Sequence, residues 1–418
     1  MKRSLAIVCA LAACWSASAA ANGRFPTSGQ IALDATDANH LVARTTYGLV
    51  QSRDAGATWH WICEAAVGYE GSLDPFIAVL QGGRIAVATS AGLKASADFG
   101  CGWQVVAGVP GAAEVIDLAN AQTDSAQAVA VAIEPDSGAA RLVATADGGQ
   151  TWSWQGAPLP KDFQVLTIEV APSDPQRIYL TGVWQADAST GALQRSDDGG
   201  KTWQAFAADP PGSLGDWLAA VDPRNADRLY ARRDGETGDA LRVSDDGGKT
   251  WRTVFETQGN LLGVALSPDG AQVALGVPFG PLGGVWTAPA DKLQFARGAA
   301  ITARCLSWGT QGLFACADTT IDGYSVGLSK DGGKTFAPLF RAKSLTQLDC
   351  PATTRTGAAC PAAWPAQAFQ LGIGVAPVTA YKAPAGGCRA SRSSRRTETI
   401  LTICAALSLF VLARRAPE

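Results

Sequence analysis

Residues 196–203 are SDDGGKTW, and residues 244–251 repeat the same eight letters. Variants of this octapeptide occur as SRDAGATW at 52–59, TADGGQTW at 145–152 and SKDGGKTF at 329–336. A sixth copy, SADFGCGW at 96–103, has glycine in place of threonine, and a degenerate seventh ends at Phe295. The closing aromatic residues recur about every 46 residues, the length of a four-stranded propeller blade. The sequence therefore predicts an all-β, seven-bladed β-propeller of four-stranded antiparallel blades over residues 28–340.

The residue types of the octapeptide suit a tight turn between two strands. Carboxylates and hydroxyls can bond backbone groups that no strand ladder satisfies, and glycine supplies positive φ angles. The aromatic residue that follows can bury a large ring against its own blade or its neighbour. We therefore predict a structural role for the aspartates of the six clear copies: Asp54, Asp98, Asp147, Asp198, Asp246 and Asp331.

These copies resemble the Asp-box, or BNR, repeats of a superfamily that includes sialidases, sortilin-type receptors, xyloglucan-degrading endoglucanases and photosystem II assembly factors. The resemblance covers about residues 28–340. A second recurring element, TIEVAPSDPQRIYL at 167–180 and AAVDPRNADRLY at 219–230, is most similar to the sortilin, endoglucanase and assembly-factor branch. The resemblance implies a propeller scaffold and leaves the activity open, because these relatives share a fold and not a chemistry.

Connections in an up-and-down blade alternate between two faces, so the octapeptides share one face and the longer loops share the other. Functional residues occur preferentially on such loops. Aromatic side chains beside polar groups suit carbohydrate or peptide recognition, and this criterion selects the ligand-binding candidates Tyr69, Glu70, Trp184, Asp216, Trp217, Arg233, Asp234 and Glu236. An ordinary surface loop is the alternative interpretation for each of them.

Few catalytic patterns are present. His40 and His60 are the two histidines of the chain and have no partners at ligand spacing, so neither a metal site, a cofactor nor a Ser-His-Asp triad is predicted. Sialidases begin with a Phe-Arg-Ile-Pro motif, whereas residues 24–26 are Arg-Phe-Pro. We therefore expect no hydrolysis of sialosides. A glycosidase with two loop carboxylates, such as a pair among Asp216, Asp234 and Glu236, stays open as an alternative.

The two termini carry targeting patterns. Residues 1–21 have a basic start, a short apolar run and small residues before the cleavage position, which predicts a secretory signal peptide. An alternative is lipidation at Cys14. At the other end, Gly-Cys at 387–388, an apolar run and terminal arginines resemble the MYXO-CTERM sorting tail of myxobacterial surface proteins. That resemblance makes Cys388 the anchoring residue of segment 386–418, with an uncleaved membrane anchor as the alternative.

Six cysteines remain between the terminal segments, and export favours their pairing. Sequence proximity predicts Cys305 with Cys316, across a hairpin that turns at residues 310–311, and Cys350 with Cys360. Cys63 with Cys101 follows by elimination. A bond between Cys305 and Cys350 is the alternative that would tie residues 341–385 to the last blade. We predict that 341–385 form a disulfide-pinned extension, and a simple spacer is the other interpretation.

Charge narrows the choice of partners. The formal net charge is −3, but two basic residues lie in the N-terminal signal, and six basic and two acidic residues follow Cys388. The body of the protein therefore carries about nine excess negative charges, which disfavours nucleic acid, anionic glycans and direct membrane binding. We predict a monomeric, non-enzymatic binding propeller, secreted or held at the cell surface by its C-terminal anchor, with a protein or a neutral carbohydrate as ligand. The alternatives are a glycoside hydrolase, sialidase-like or endoglucanase-like, and a periplasmic assembly factor for a membrane complex.

Overall fold

The computed structural model describes residues 26–69, 74–109, 114–120, 124–185, 190–208 and 215–374. The predicted signal peptide, Cys14, Glu70, Cys388 and the predicted sorting tail lie outside these residues. The described chain forms seven sheets, each with four consecutive antiparallel strands. This confirms the predicted seven-bladed β-propeller.

The blades follow one another along the chain. Blade 1 contains β1 (Ser28–Leu33), β2 (Leu41–Thr45), β3 (Gly48–Ser52) and β4 (His60–Ile62). Blade 2 contains β5 (Ile77–Leu80), β6 (Arg84–Thr89), β7 (Gly92–Ser96) and β8 (Gln104–Val105), and blade 3 contains β9 (Val115–Asn120), β10 (Ala128–Ile133), β11 (Ala140–Thr145) and β12 (Ser153–Gln155). Blade 4 contains β13 (Phe163–Ala171), β14 (Asp174–Trp184), β15 (Thr190–Ser196) and β16 (Gln204–Ala207).

The remaining three blades repeat this order. Blade 5 contains β17 (Trp217–Asp222), β18 (Asn225–Arg233), β19 (Ala240–Ser244) and β20 (Arg252–Glu256). Blade 6 contains β21 (Gly263–Leu266), β22 (Gln272–Val277), β23 (Gly284–Pro289) and β24 (Ala296–Arg297), and blade 7 contains β25 (Cys305–Gly309), β26 (Gly312–Cys316), β27 (Val326–Ser329) and β28 (Ala337–Phe340). Short α- and 3-10 helices are α1 (Glu64–Val67), Gln81–Gly83 and Ala342–Ser344, and the chain then forms β29 (Thr346–Gln347) and helix α2 (Arg355–Gln370).

The octapeptides form the turns between the third and fourth strands of six blades. In each of these six copies the first hydroxyl donates to the aspartate Oδ1 at 2.8 Å. In five copies the threonine hydroxyl also donates to Oδ2, at 2.6–2.7 Å. Gly102 replaces that threonine in the sixth copy but still donates its backbone N–H to Asp98 at 2.7 Å. The carboxylates are therefore engaged within their own turns.

Residues 341–374 run back to the start of the ring. Strand β29 pairs in parallel with β4, the outer strand of blade 1, and so adds a fifth strand to that sheet. Helix α2 packs on α1, and Trp364 of α2 lies 5.5 Å from Trp61 of β4 between ring centroids. Thr356 near the beginning of α2 donates its N–H to the Cys101 carbonyl at 3.0 Å. The extension therefore joins the C-terminal part of the propeller to blades 1 and 2.

Two of the three predicted disulfides are wrong. Cys305 and Cys316 are bonded across the β25–β26 hairpin, as predicted from its symmetric register. The other bonds are Cys63 with Cys360 and Cys101 with Cys350. The prediction assumed that cysteines close in sequence pair with each other. Cys350 precedes α2 and Cys360 lies within it, and each is bonded to a cysteine of the blades instead. Both tail cysteines instead cross-link the extension to the first two blades. None of the described helices is long and apolar enough to span a bilayer.

Candidate functional site

The loop face of blade 5, where its second and third strands are connected, brings together four of the eight predicted ligand-binding residues. Asp216 and Trp217 lie at the beginning of β17, and Arg233 and Asp234 lie at the end of β18. Together with Arg232 and Arg242 they form two groups of side chains: Asp216 with Arg233 and Arg242, and Trp217 with Arg232 and Asp234. We call these six residues the blade 5 cluster: Asp216, Trp217, Arg232, Arg233, Asp234 and Arg242.

Asp216 is the buried centre of this cluster, at 8% exposed. Arg233 donates Nε–H to its Oδ1 at 2.8 Å and Nη2–H to its Oδ2 at 3.1 Å, which is a bidentate pair. Arg242, on β19, donates to Oδ2 at 2.9 Å. Burial raises the pKa of Asp216, and the two guanidinium groups act in the opposite direction. This network fixes the start of β17 to β18 and β19 of the same blade.

Trp217 is half-buried and belongs to the second group of side chains. Its indole Nε1–H donates to Asp234 Oδ2 at 3.1 Å. Arg232 lies over the indole, with its guanidinium carbon 5.4 Å from the ring centroid, and its Nε is 2.9 Å from Asp234 Oδ1. The ring is thus oriented by a hydrogen bond at its edge and a cation at one face. Asp234 itself is exposed and faces solvent.

Trp184 of blade 4 borders the same region. A close approach of two backbone segments brings the connection before β17 against β15, since a Cβ on Gly215 would lie 3.0 Å from the Cα of Gly191. Gly191 adjoins Thr190, which is paired with Trp184 in the β14–β15 ladder. Trp184 also packs on Phe163, with ring centroids 4.9 Å apart. The boundary between blades 4 and 5 therefore carries two partly exposed indoles.

Three of the sequence-predicted residues do not join this group in the structure. Tyr69 lies in the connection after blade 1 and is 7% exposed, so its ring belongs to the core and cannot serve as a surface platform. Glu236 is exposed in the connection after β18. Glu70 is outside the described residues. Sequence reasoning also missed Arg232 and Arg242, although the Arg232–Arg233 pair at a predicted strand end was a visible signal.

A cleft of about 480 Å³ lies on the other side of blade 5, against blade 6. It is lined by the connection that contains Asp239, by Glu256 at the end of β20 and Thr257 after it, and by Pro281 and Leu282. Asp239 is buried and accepts the Leu261 N–H at 2.8 Å. Its carboxylate therefore stabilises the loop before β21.

The cluster combines two charged groups of side chains with one aromatic ring. Asp216 accepts hydrogen bonds from two arginines, so both of its oxygens are engaged within the blade. Asp234 is held by Trp217 and Arg232. Within the described residues, no group of three or more His, Cys, Asp or Glu side chains could hold a metal ion. The cluster offers an oriented indole with charged groups at its edge.

Comparison with known proteins agrees with the repeat assignment. A family model for the BNR/Asp-box repeat matches residues 194–205 and 242–253. The chain contains BNR/Asp-box repeats. A search of curated proteins finds no match.

The solved structures that are similar to this chain are distant from it in sequence. An ancestral GH74 enzyme is 16% identical with a TM-score of 0.53, and the match covers 75% of this chain and 46% of that enzyme. The GH74 enzyme of Niastella koreensis is 13% identical with a TM-score of 0.44, covering 74% of this chain and 65% of that one. YCF48 bound to D1 peptide is 17% identical with a TM-score of 0.40, covering 56% and 69%. This chain thus spans less than half of the ancestral enzyme. The likeness to that enzyme establishes the fold alone.

Proposed function

We propose that this chain is a non-enzymatic binding propeller that acts outside the cytosol and holds a protein or a neutral carbohydrate on the loop face of blades 4 and 5. The observation that carries the proposal is the position of Trp217. Its ring is half-buried, is oriented by Asp234 and Arg232, and stands on strands that Asp216 ties together. A pre-oriented aromatic ring loses little entropy when a ligand packs on it.

The composition of the cluster supports these two ligand classes. Indole rings pack on sugar rings and on apolar side chains, and aromatic and arginine residues dominate the energetics of protein interfaces. Arg232 and Asp234 supply both signs of charge at the edge of the ring, so a neutral polar ligand can be bonded without an unpaired charge. The acidic excess of the whole body disfavours an anionic sugar.

A location outside the cytosol is supported by the three disulfides. Such bonds persist in oxidising compartments and are rare where thiols are kept reduced. They are consistent with the signal peptide predicted for residues 1–21. Display at the cell surface through Cys388 is part of the same proposal.

Glycoside hydrolysis is the main competing function, and it requires two carboxyl groups about 5–10 Å apart across the scissile bond. Of the three loop carboxylates considered, Asp216 is buried between two arginines and Asp234 is bonded to Trp217. These contacts give both carboxylates a role in holding the side chains of the cluster in place. The assembly-factor alternative is a special case of peptide binding, and the same experiment addresses it.

The test is a screen of the purified protein on arrays of neutral glycans and of peptides, with Trp217→Ala as the site variant. Trp154→Ala is a matched control, since Trp154 is also partly buried and lies 5.4 Å from the guanidinium carbon of Arg141. We expect array signals that Trp217→Ala removes and Trp154→Ala retains. Neutral β-glucans and sialosides are incubated in parallel. Turnover of a glucan that is lost in an Asp234→Asn variant would show that the protein is an enzyme.

A further inference from the structure

The cleft between blades 5 and 6 is lined by acidic and apolar side chains and, among the described residues, by no basic one. Its volume of about 480 Å³ lies within the range of small-molecule sites, about 300–1,000 Å³. Of the nine described residues that line it, Asp239 and Glu256 are acidic, whereas none is lysine, arginine or histidine. Pro281 and Leu282 line it as well. The cleft therefore combines negative charge with an apolar surface.

Both carboxylates have hydrogen-bonding capacity that the protein does not use. Asp239 is 5% exposed, and its Oδ2 accepts one hydrogen bond, from the Leu261 N–H at 2.8 Å. Within the described part of the chain it has no ion pair. Glu256 is exposed at the end of β20, and its side chain has neither a hydrogen bond nor an ion pair with a described residue. Aspartates are rarely buried without a charge partner, so a cation in the cleft would balance Asp239.

A third polar group of the cleft is unsatisfied. Thr257 follows Glu256, lines the cleft and is 7% exposed. Its hydroxyl oxygen is buried and has no hydrogen-bond partner among the residues that the structure describes. The backbone of Thr257 is held in place, because its N–H donates to the Asp239 carbonyl at 2.9 Å. Since buried hydroxyls are normally bonded, this oxygen can accept from a donor that enters the cleft.

The arginines that touch the adjoining loops donate to backbone carbonyls. Arg232 Nη1 donates to the Leu261 carbonyl at 3.5 Å, and Arg232 is also paired with Asp234. Arg297 donates to the Gly283 carbonyl. Neither arginine lines the cleft. The described part of the propeller therefore supplies no positive charge to the carboxylates there.

We propose that the cleft between blades 5 and 6 binds an alkyl ammonium or guanidinium group, with Asp239 and Glu256 as its anionic partners and Thr257 as a further acceptor. Ammonium and guanidinium groups only donate hydrogen bonds, which matches three side chains that can accept them. The aliphatic stem of the ligand packs on Pro281 and Leu282 while its charged end meets the carboxylates. A lysine or arginine side chain of a protein and a free polyamine share this chemistry.

The test is a ligand-observed NMR titration of the purified protein with Nα-acetyl-lysine amide, Nα-acetyl-arginine amide, spermidine and the uncharged Nα-acetyl-norleucine amide. We expect at least one cationic probe to bind and the norleucine probe not to bind, because its stem lacks the charge. Binding of an acetylated basic residue would identify a protein side chain as the source, and binding of spermidine alone would identify a free polyamine. The probes require neither an array ligand nor Trp217, so this proposal and the proposed function can fail independently.

Two variants test the assigned groups. Glu256→Gln removes an exposed charge that has no partner in the described chain, so it should fold normally and weaken binding of the cationic probe at least about fivefold. Thr257→Val replaces the unpartnered hydroxyl by a methyl group of similar size and should weaken the same binding at least about threefold without lowering the thermal midpoint. Glu114→Gln is the matched control, an exposed glutamate immediately before β9, and should change the affinity less than about twofold.

Three results would overturn the proposal. The first is no binding of any of the three cationic probes. The second is equal binding of the norleucine probe, which would show that the cleft recognises the stem and not the charge. The third is equal affinity of the wild type and Glu256→Gln for the cationic probe that binds.

Discussion

The two disulfides of the C-terminal extension should contribute more to stability than the hairpin disulfide of blade 7. Each blade consists of consecutive strands, and the extension is covalently linked to blades 1 and 2 through Cys360 and Cys350. The perturbation is replacement of all four of these cysteines, two in the blades and two in the extension, by alanine. The control is the double replacement of Cys305 and Cys316.

The lengths of the closed loops set the expected magnitudes. The Cys101–Cys350 bond closes 249 residues, whereas the Cys305–Cys316 bond closes 11. With the first bond in place, the Cys63–Cys360 bond closes an additional loop of about 50 residues. The chain-entropy relation gives about 5.5 kcal/mol for the first, about 4 kcal/mol for the second and about 3 kcal/mol for the hairpin. Removal of both extension disulfides is therefore comparable to the whole stability of a typical domain.

The assay is unfolding in guanidinium chloride, followed by tryptophan fluorescence. The variant without extension disulfides should unfold at a much lower denaturant concentration than the hairpin variant. The single pair Cys63→Ala with Cys360→Ala should lie between them. Loss of buried sulfur is comparable in the two variants, because all of these cysteines except Cys101 and Cys350 are buried. Equal midpoints for the four-alanine and hairpin variants would refute the role of the extension in closing the ring.

Three further outcomes are expected. Asp246→Ala removes the acceptor for the Thr250 N–H and hydroxyl and should lower the free energy of unfolding by about 1–3 kcal/mol, measured by denaturation, with ligand binding unchanged. Asp216→Asn removes the buried carboxylate that accepts from Arg233 and Arg242 and should cost about 3 kcal/mol, and a neutral effect would show that the network is dispensable. Burial raises the pKa of Asp117 to about 7 and that of Glu169 well above its usual value, with the charge of Asp117 adding to the latter shift. Because the folded state then holds protons that the unfolded state releases, stability should fall as pH rises from about 4 through about 7. Glu169→Gln should therefore stabilise the protein more at about pH 8 than at about pH 4, and denaturation at both values checks this.

The blade count could be predicted because turn chemistry is local. Each octapeptide contains its own hydrogen-bond acceptors, donors and glycines within eight residues, so its sequence is sufficient to predict the turn. The disulfides of the extension could not be predicted, because they join residues whose separations of 249 and 297 depend on how the ring closes. Features that depend on residues close in sequence could be predicted, and those that depend on distant residues could not.

The candidate site could also be predicted only in part: the face of its residues was predicted, and their side-chain contacts were not. Alternation of loops placed Asp216, Trp217 and Asp234 on one face, and the structure brings them together at blade 5. The pairing of Asp216 with Arg242 spans 26 residues and depends on strand register, so no local pattern indicated that this carboxylate is buried and neutralised. Tyr69 was predicted as a loop residue, yet its ring is in the core, because its connection folds against the extension.

The most direct test of the binding proposal is calorimetric titration of the ligand identified on the arrays into three proteins. These are the wild type, Trp217→Ala and the matched control Trp154→Ala. We expect the dissociation constant to rise at least about tenfold in Trp217→Ala and to change less than about twofold in Trp154→Ala, with the ligand recovered intact. Equal affinities for the wild type and Trp217→Ala, or recovery of a cleaved ligand, would contradict the account.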